Sequence, residues 1–281
     1  FCSYFLECKP RRYKNFYEYF NEKMRIFSRQ DENDFLILNY DAENLRTFKG
    51  LTKSEVFFFA KETITPNGYR IASFIRDGRI YSSYGSQVRE LLPVGDIKLK
   101  GVHNIENVLA SVLVGMIVGV DIDSIRDTVR NFTGLAHRFE FVDIVDGVEY
   151  IDDSKGTTVD STKRALESCS KPVVLIAGGK DKFSDYAVIK DTVKKRVKHL
   201  VLIGEATEAI LKALGGTVPT HTAKTMREAV EAGHRLAQDG WVVLLSPMCS
   251  SFDMFKNYKE RGDVFKKAVK ELRPGRHEVK A

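Results

Sequence analysis

From residue 138 onward the chain alternates short apolar runs with amphipathic segments, and that rhythm leaves few folds open. The runs Phe139–Ile144, Val148–Ile151, Pro172–Ala177, His199–Ile203 and Trp241–Leu245 are rich in β-branched and aliphatic residues and read as strands. Helical spacing falls near Asp160–Glu167, Tyr186–Lys195, Ala206–Leu214, Thr225–Ala237 and Asp253–Glu271. Strands separated by helices predict an α/β fold with a mainly parallel, doubly wound sheet. In such a sheet the strand C-termini share one edge, where ligands bind.

Three strands end in polar, small-residue turns. These are Asp153–Thr158, Gly178–Lys182 and Ser246–Ser251. The first carries a carboxylate (Asp153), an ammonium (Lys155) and two hydroxyls (Thr157 and Thr158) just before a helix. Free backbone N–H groups and the helix dipole favour anions there. The plain alternative is a helix-capping turn with nothing to bind. Three such turns on one edge, each with Lys, Ser or Thr, point to a pocket for an anionic ligand.

The N-terminal half reads differently. Phe16, Phe20, Met24 and Phe27 recur at helical spacing, with Lys23 at the edge of their face. Strand-like runs follow at 34–39, 56–60 and 69–75, and Asp77-Gly78 signals a hairpin. A strong helix opens at Gly101, where Asn104 and Asn107 stand three apart and face one way. An amide donates and accepts at once, which suits the edge of a base; an N-cap beside an exposed polar residue is the alternative. The apolar run Val108–Val120 reads as a buried helix, too short to span a bilayer. A shorter helix covers Asp121–Phe132, and Thr133-Gly134-Leu135 reads as a linker.

The 281 residues suffice for one large or two ordinary domains, and 43% hydrophobic content suits a buried core. A net charge of +6 is mild and spread, and no basic patch interleaved with aromatics points to nucleic acid. Cys2, Cys8, Cys169 and Cys249 have no metal-binding spacing and read as free thiols in a reducing compartment. A cytoplasmic protein, monomeric and without membrane or nucleic-acid partners, is the expectation. No G-x-x-x-x-G-K-[ST] phosphate loop occurs in these residues.

Five motifs occur in order: 101–107 (GVHNIEN), 132–140 (FTGLAHRFE), 152–158 (DDSKGTT), 178–182 (GGKDK) and 245–262 (LSPMCSSFDMFKNYKERG). Together they closely resemble the peptidoglycan-building Mur ligases, on the D-glutamate-adding branch, from about Arg12 to Leu272. The Asp-Asn-Pro-Arg signature of the diamino-acid-adding branch is absent. The resemblance implies the end of a P-loop-type central ATPase domain, lacking the loop, over 1–134. A Rossmann-like, doubly wound, amino-acid-binding domain would follow over 135–281. It also implies a fragment of an ATP- and Mg2+-dependent ligase that joins D-glutamate to UDP-N-acetylmuramoyl-L-alanine, inactive by itself. A folylpolyglutamate-synthase-like ligase and a non-catalytic binding module are the alternatives.

By motif match, Asn104 and Asn107 would face adenine, and Arg138 and Asp153 the phosphates and ribose of ATP. Lys155 would act at the reacting phosphate and carboxylate. Thr157, Lys182, Ser251, Phe252 and Tyr258 would hold D-glutamate. Lys23 aligns with a lysine that is carbamylated in the family, where the carbamate serves as a magnesium ligand. Lys9 stands where the family has a magnesium-binding His, and an ammonium has no lone pair to offer. His137 is expected to pack or cap rather than to catalyse.

Overall fold

The computed structural model describes residues 16–62, 69–85, 87–99 and 101–273. Lys9, Arg12, Cys2 and Cys8 lie outside them. The chain divides into two compact units between Thr133 and Gly134.

In the first unit, helix α1 (Phe16–Met24) precedes strand β1 (Phe35–Asn39), the short α2 (Glu43–Arg46), β2 (Glu55–Ala60), β3 (Ile71–Arg76), β4 (Arg79–Ser82) and β5 (Arg89–Pro93). Helices α3 (Val102–Ile117) and α4 (Ile122–Asn131) complete it. The sheet order is β1-β2-β3-β4-β5, with the first three strands parallel and the last three antiparallel. Continuous apolar residues in β2 mean burial on both faces. Phe57 and Phe59 pack with Leu109, Val112 and Leu113 of α3, while Phe58 packs with Phe27, Leu45 and Phe48 on the other side. Asp77 (φ 50°) and Gly78 (φ 70°) make the tight β3–β4 turn that the Asp-Gly pair predicts. The apolar run 108–120 is helical only to Ile117, and Val118 beyond it is 69% exposed. There the chain turns at Gly119 rather than staying in the core.

The second unit contains β6 (Glu140–Val145), β7 (Val148–Asp152), α5 (Val159–Ser168), β8 (Val173–Gly178), α6 (Lys190–Arg196), β9 (Val197–Ile203), α7 (Thr207–Leu214), β10 (Thr220–Thr222), α8 (Met226–Leu236), β11 (Val242–Leu245) and α9 (Tyr258–Glu271). Its sheet order is β10-β9-β8-β11-β7-β6, parallel except for the β6–β7 hairpin. One core joins the sheet to α5, α6 and α7, and a second joins it to α8 and α9. This is the doubly wound arrangement read from the alternation. The order matters for the site. β11 lies between β7 and β8, with Leu245 level with both Asp152 and Ile176. Three turns far apart in sequence therefore leave three adjacent parallel strands at one edge.

Two expectations change. The last helix begins at Tyr258, not Asp253, because the Asn257 side chain caps it by accepting from the N–H groups of Lys259 and Glu260. Residues 251–257 are left as a turn segment at the sheet edge. β10 is an edge strand of three residues, too short for a periodic signal.

Gly178 ends β8 at φ 119°, and a Cβ there would meet the Ile203 carbonyl oxygen at 1.9 Å. Gly216 has φ 75° with open space around it. Gly178→Ala is expected to lower unfolding free energy by about 3 kcal/mol or more, from steric overlap with backbone added to strain. Gly216→Ala adds strain only, about 1 kcal/mol. Urea unfolding of the two variants checks the contrast.

Candidate functional site

The three turns of the second unit are hydrogen-bonded to one another. Met248 N–H donates to the Gly156 carbonyl (3.0 Å), Gly178 N–H to Pro247 (2.9 Å) and Lys180 N–H to Ser250 (2.8 Å). Lys182 Nζ donates to the Thr157 carbonyl at 3.0 Å. Beneath them lies Arg261, fully buried in the first turn of α9. Its Nε donates to Ser154 Oγ (3.0 Å), one terminal nitrogen to the Ser154 carbonyl (2.8 Å) and the other to the Cys249 carbonyl (3.1 Å). A planar guanidinium can serve acceptors on two segments at once. Burial pulls its pKa down to about 10, so it remains charged at neutral pH. Ser154 Oγ in turn donates to the Tyr258 carbonyl (2.7 Å), which binds the turn to the start of α9.

Asp153 faces inward. Its Oδ2 accepts from Ser246 Oγ at 2.7 Å and its Oδ1 from Phe139 N–H at 3.3 Å. Gly156 is required alongside, since a Cβ there would lie 2.3 Å from Asp153 Oδ2. Burial pushes the Asp153 carboxyl up to about 7, against the opposing pull of the Ser246 and Phe139 bonds. Asp152 is raised too, mainly by burial, with the His137 bond opposing.

His137 is buried and packs, as expected of it. Its Nδ1 lies 2.8 Å from Asp152 Oδ2, and its backbone N–H donates to Glu140 Oε2 at 2.8 Å. Its carbonyl accepts from Lys155 N–H at 3.0 Å. His137 (φ 64°) and Phe139 (φ 50°) both hold left-handed backbone around Arg138. Strain of this kind persists only where neighbours fix it, and these hydrogen bonds do so.

The structure brings several candidate residues together. Lys155 Nζ lies over the Tyr258 ring, 4.0 Å from its centroid, a cation–π contact between the first turn and α9. Thr157 and Lys182 meet through the carbonyl bond above. Ser251 is 2% exposed in the third turn, and Phe252 beside it is 71% exposed. Arg138 is exposed, and its backbone N–H donates to Leu135. In the first unit, Asn107 Nδ2 lies 3.4 Å from Asn104 Oδ1, so the two amides share one face of α3. Lys23 is exposed in the last turn of α1. Arg261 and Ser246 enter the site only through tertiary contacts, with Ser154 and Asp153 respectively. Arg261 falls within the 245–262 motif, and it stands four residues before the buried Phe265, on the apolar stripe of α9.

Two outcomes follow from this network. Arg261→Met leaves the Ser154 and Cys249 carbonyls unsatisfied and is expected to destabilise by about 3 kcal/mol. Arg261→Lys rescues little of that, because one ammonium cannot span both turns; urea unfolding measures both. Asp153 has a folded pKa above its unfolded value of 3.8. Folding therefore takes up a proton between about pH 4 and 7, and the group's contribution to stability falls as pH rises through that window. Asp153→Asn is expected to flatten the decline, read as unfolding midpoint against pH from 4 to 8.

The family model for the Mur ligase middle domain matches residues 11–115, and that for the Mur ligase glutamate ligase domain matches residues 137–249. The UDP-N-acetylmuramoylalanine–D-glutamate ligase of Geotalea daltonii is 45% identical over 94% of this chain. That of Caldanaerobacter subterraneus is 40% identical over 93%. The chain spans 57% of the length of each of these curated relatives. Among solved structures, the MurF ligase of Thermotoga maritima in complex with ADP superimposes with a TM-score of 0.60 at 14% identity. The match covers 92% of this chain and 58% of that one, a likeness of fold. On the two domain matches and the relatives, the chain belongs to the Mur ligase family and carries its middle and glutamate ligase domains.

Proposed function

We propose that the chain forms part of a cytoplasmic ligase that joins D-glutamate to UDP-N-acetylmuramoyl-L-alanine with ATP and Mg2+. The observation that carries this is the joined set of three turns, which gathers Lys155, Thr157, Lys182 and Ser251 at one sheet edge. The activity named for the relatives supports D-glutamate as the ligand of that edge. On this reading residues 1–134 and 135–281 are the partial central domain and the C-terminal domain.

D-Glutamate presents two carboxylates, and their recognition needs several fixed donors. Lys182 and the hydroxyls of Thr157 and Ser251 supply them, with Phe252 and Tyr258 bounding the apolar part of the ligand. Lys155, oriented by the Tyr258 ring, offers positive charge where the acyl group reacts, and charge fixed in advance stabilises the developing oxyanion. Arg138 is an exposed cation for phosphate. Asp153, buried and bonded to Ser246, serves the nucleotide side by holding the turn's shape.

ATP supplies the phosphoryl group that activates the muramoyl carboxylate. The paired amides of Asn104 and Asn107 fit a base edge, with Asn107 exposed on α3. For Mg2+ the candidate is Lys23, whose exposed position admits carbamylation. A carbamate gives a hard cation the oxygen ligands it prefers. The trio His137, Glu140 and Asp152 has ligand atoms within 4.8 Å of one another. It does not fit Mg2+, because its atoms are engaged in the hydrogen bonds described above and one is an imidazole nitrogen.

Calorimetry of the chain with D- and L-glutamate tests the substrate. D-Glutamate is expected to bind at least about tenfold more tightly, since inverting the α-carbon misplaces one carboxylate from its donors. Lys182→Ala is expected to remove the difference. Equal heats for the two enantiomers, or none for either, would overturn the reading.

A further inference from the structure

In the first unit an ion pair joins Lys61 to Glu106. Glu106 stands between Asn104 and Asn107 on α3, yet it is only 2% exposed. Its Oε1 lies 2.9 Å from Lys61 Nζ. Lys61 directly follows β2, its backbone N–H donates to Asp41 Oδ2 at 3.1 Å, and its ammonium lies 3.8 Å from the same oxygen. Asp41 N–H donates to Oδ1 of Asn39 at 2.9 Å, and Asn39 is the fully buried last residue of β1. A continuous polar chain thus ties the C-terminal ends of two neighbouring parallel strands to the start of α3.

The geometry of a helix gives this chain a consequence. Successive residues turn by about 100°, so Glu106 points about 200° away from Asn104 and about 100° from Asn107. Holding Glu106 inward sets the rotation of α3, and with it the direction of both amides. The apolar contacts of α3 through Leu109, Val112 and Leu113 are non-directional and define that rotation loosely. A 2.9 Å contact between ammonium and carboxylate is directional. A carboxylate this buried also needs its cation, because an uncompensated buried charge is strongly unfavourable.

We infer that Glu106 and Lys61 are positioning residues for base recognition, aiming Asn104 and Asn107 at one purine edge. The inference rests on the reading of those two asparagines as adenine contacts. It assigns to the ion pair the selectivity between an adenine, which offers an exocyclic amine, and a hypoxanthine, which offers a carbonyl. Glu106→Gln keeps an oxygen for the Lys61 ammonium and therefore most of the aim. Glu106→Leu removes it.

The test is NMR titration of the intact chain with ADP and, separately, IDP, following the side-chain amides of Asn104 and Asn107. In the unmodified protein ADP is expected to shift both amides and to bind at least about tenfold more tightly than IDP, the worth of one well-made hydrogen bond to a fixed group. Glu106→Gln is expected to keep that ratio within about threefold, and Glu106→Leu to bring it near one. Backbone spectra of the second unit should be unchanged in both variants. If Glu106→Leu keeps the full ADP-to-IDP ratio, the positioning role is overturned while the adenine reading stands. If ADP leaves both amides of the unmodified protein unmoved, the adenine reading falls and the inference with it.

Discussion

The guanidinium of Arg261 is the interaction on which the candidate site depends. It is a charged group with no exposed surface, and its hydrogen-bond partners are two carbonyls and a hydroxyl rather than a carboxylate. Desolvating it is unfavourable, which is why its pKa falls to about 10. The arrangement persists because the guanidinium donates to acceptors on two separate turns at once. Ser154 belongs to the first turn and Cys249 to the third, so one side chain sets the spacing between them. Tyr258, three residues earlier on α9, is held to the same turn through Ser154, and its ring carries Lys155. Core, turn and Lys155 are therefore connected through few bonds.

Topology does the rest. The chain places β11 last among the strands, yet in the sheet it lies between β7 and β8. The turn after β11 thereby lies between the turns after β7 and β8, and backbone hydrogen bonds from Met248, Gly178 and Lys180 close the gaps. Left-handed backbone at His137, Phe139 and Met248 sits at the joints. That strain is offset by bonds to Glu140, Asp153 and Gly156 respectively. The three turns are held to one another by their own backbone hydrogen bonds.

Much of this was legible in the sequence. Period-two and continuous apolar runs gave the strands of the second unit, and the polar turns at their ends gave the edge that matters. The motif order gave the family. What was not legible has physical reasons. Arg261 lies in a basic stretch, Lys256 to Lys259 and on to Lys266, which reads as a solvated helix. Its place on the stripe with Phe265 and within the 245–262 motif sets it apart, but neither shows that it is buried. The start of α9 was read early because Asp253 can cap a helix as well as Asn257 can, and the choice is made by tertiary contacts. Asp253 instead accepts from Glu205 N–H on a neighbouring turn. The inward turn of Asp153 depends on Ser246, a residue 93 positions away. The pairing of Lys61 with Glu106 likewise joins segments that no local pattern connects.

The central claim is that the three turns form one preformed unit, fixed by a buried cation. Hydrogen exchange at the backbone amides of Gly156, Met248 and Lys180, in the ligand-free chain, measures it most directly. The account predicts that these amides exchange only with global opening, as slowly as those of β8 and β11, and that Arg261→Met releases them while the strands stay protected. Fast exchange at the turns of the unmodified chain, with the strands still protected, would contradict it.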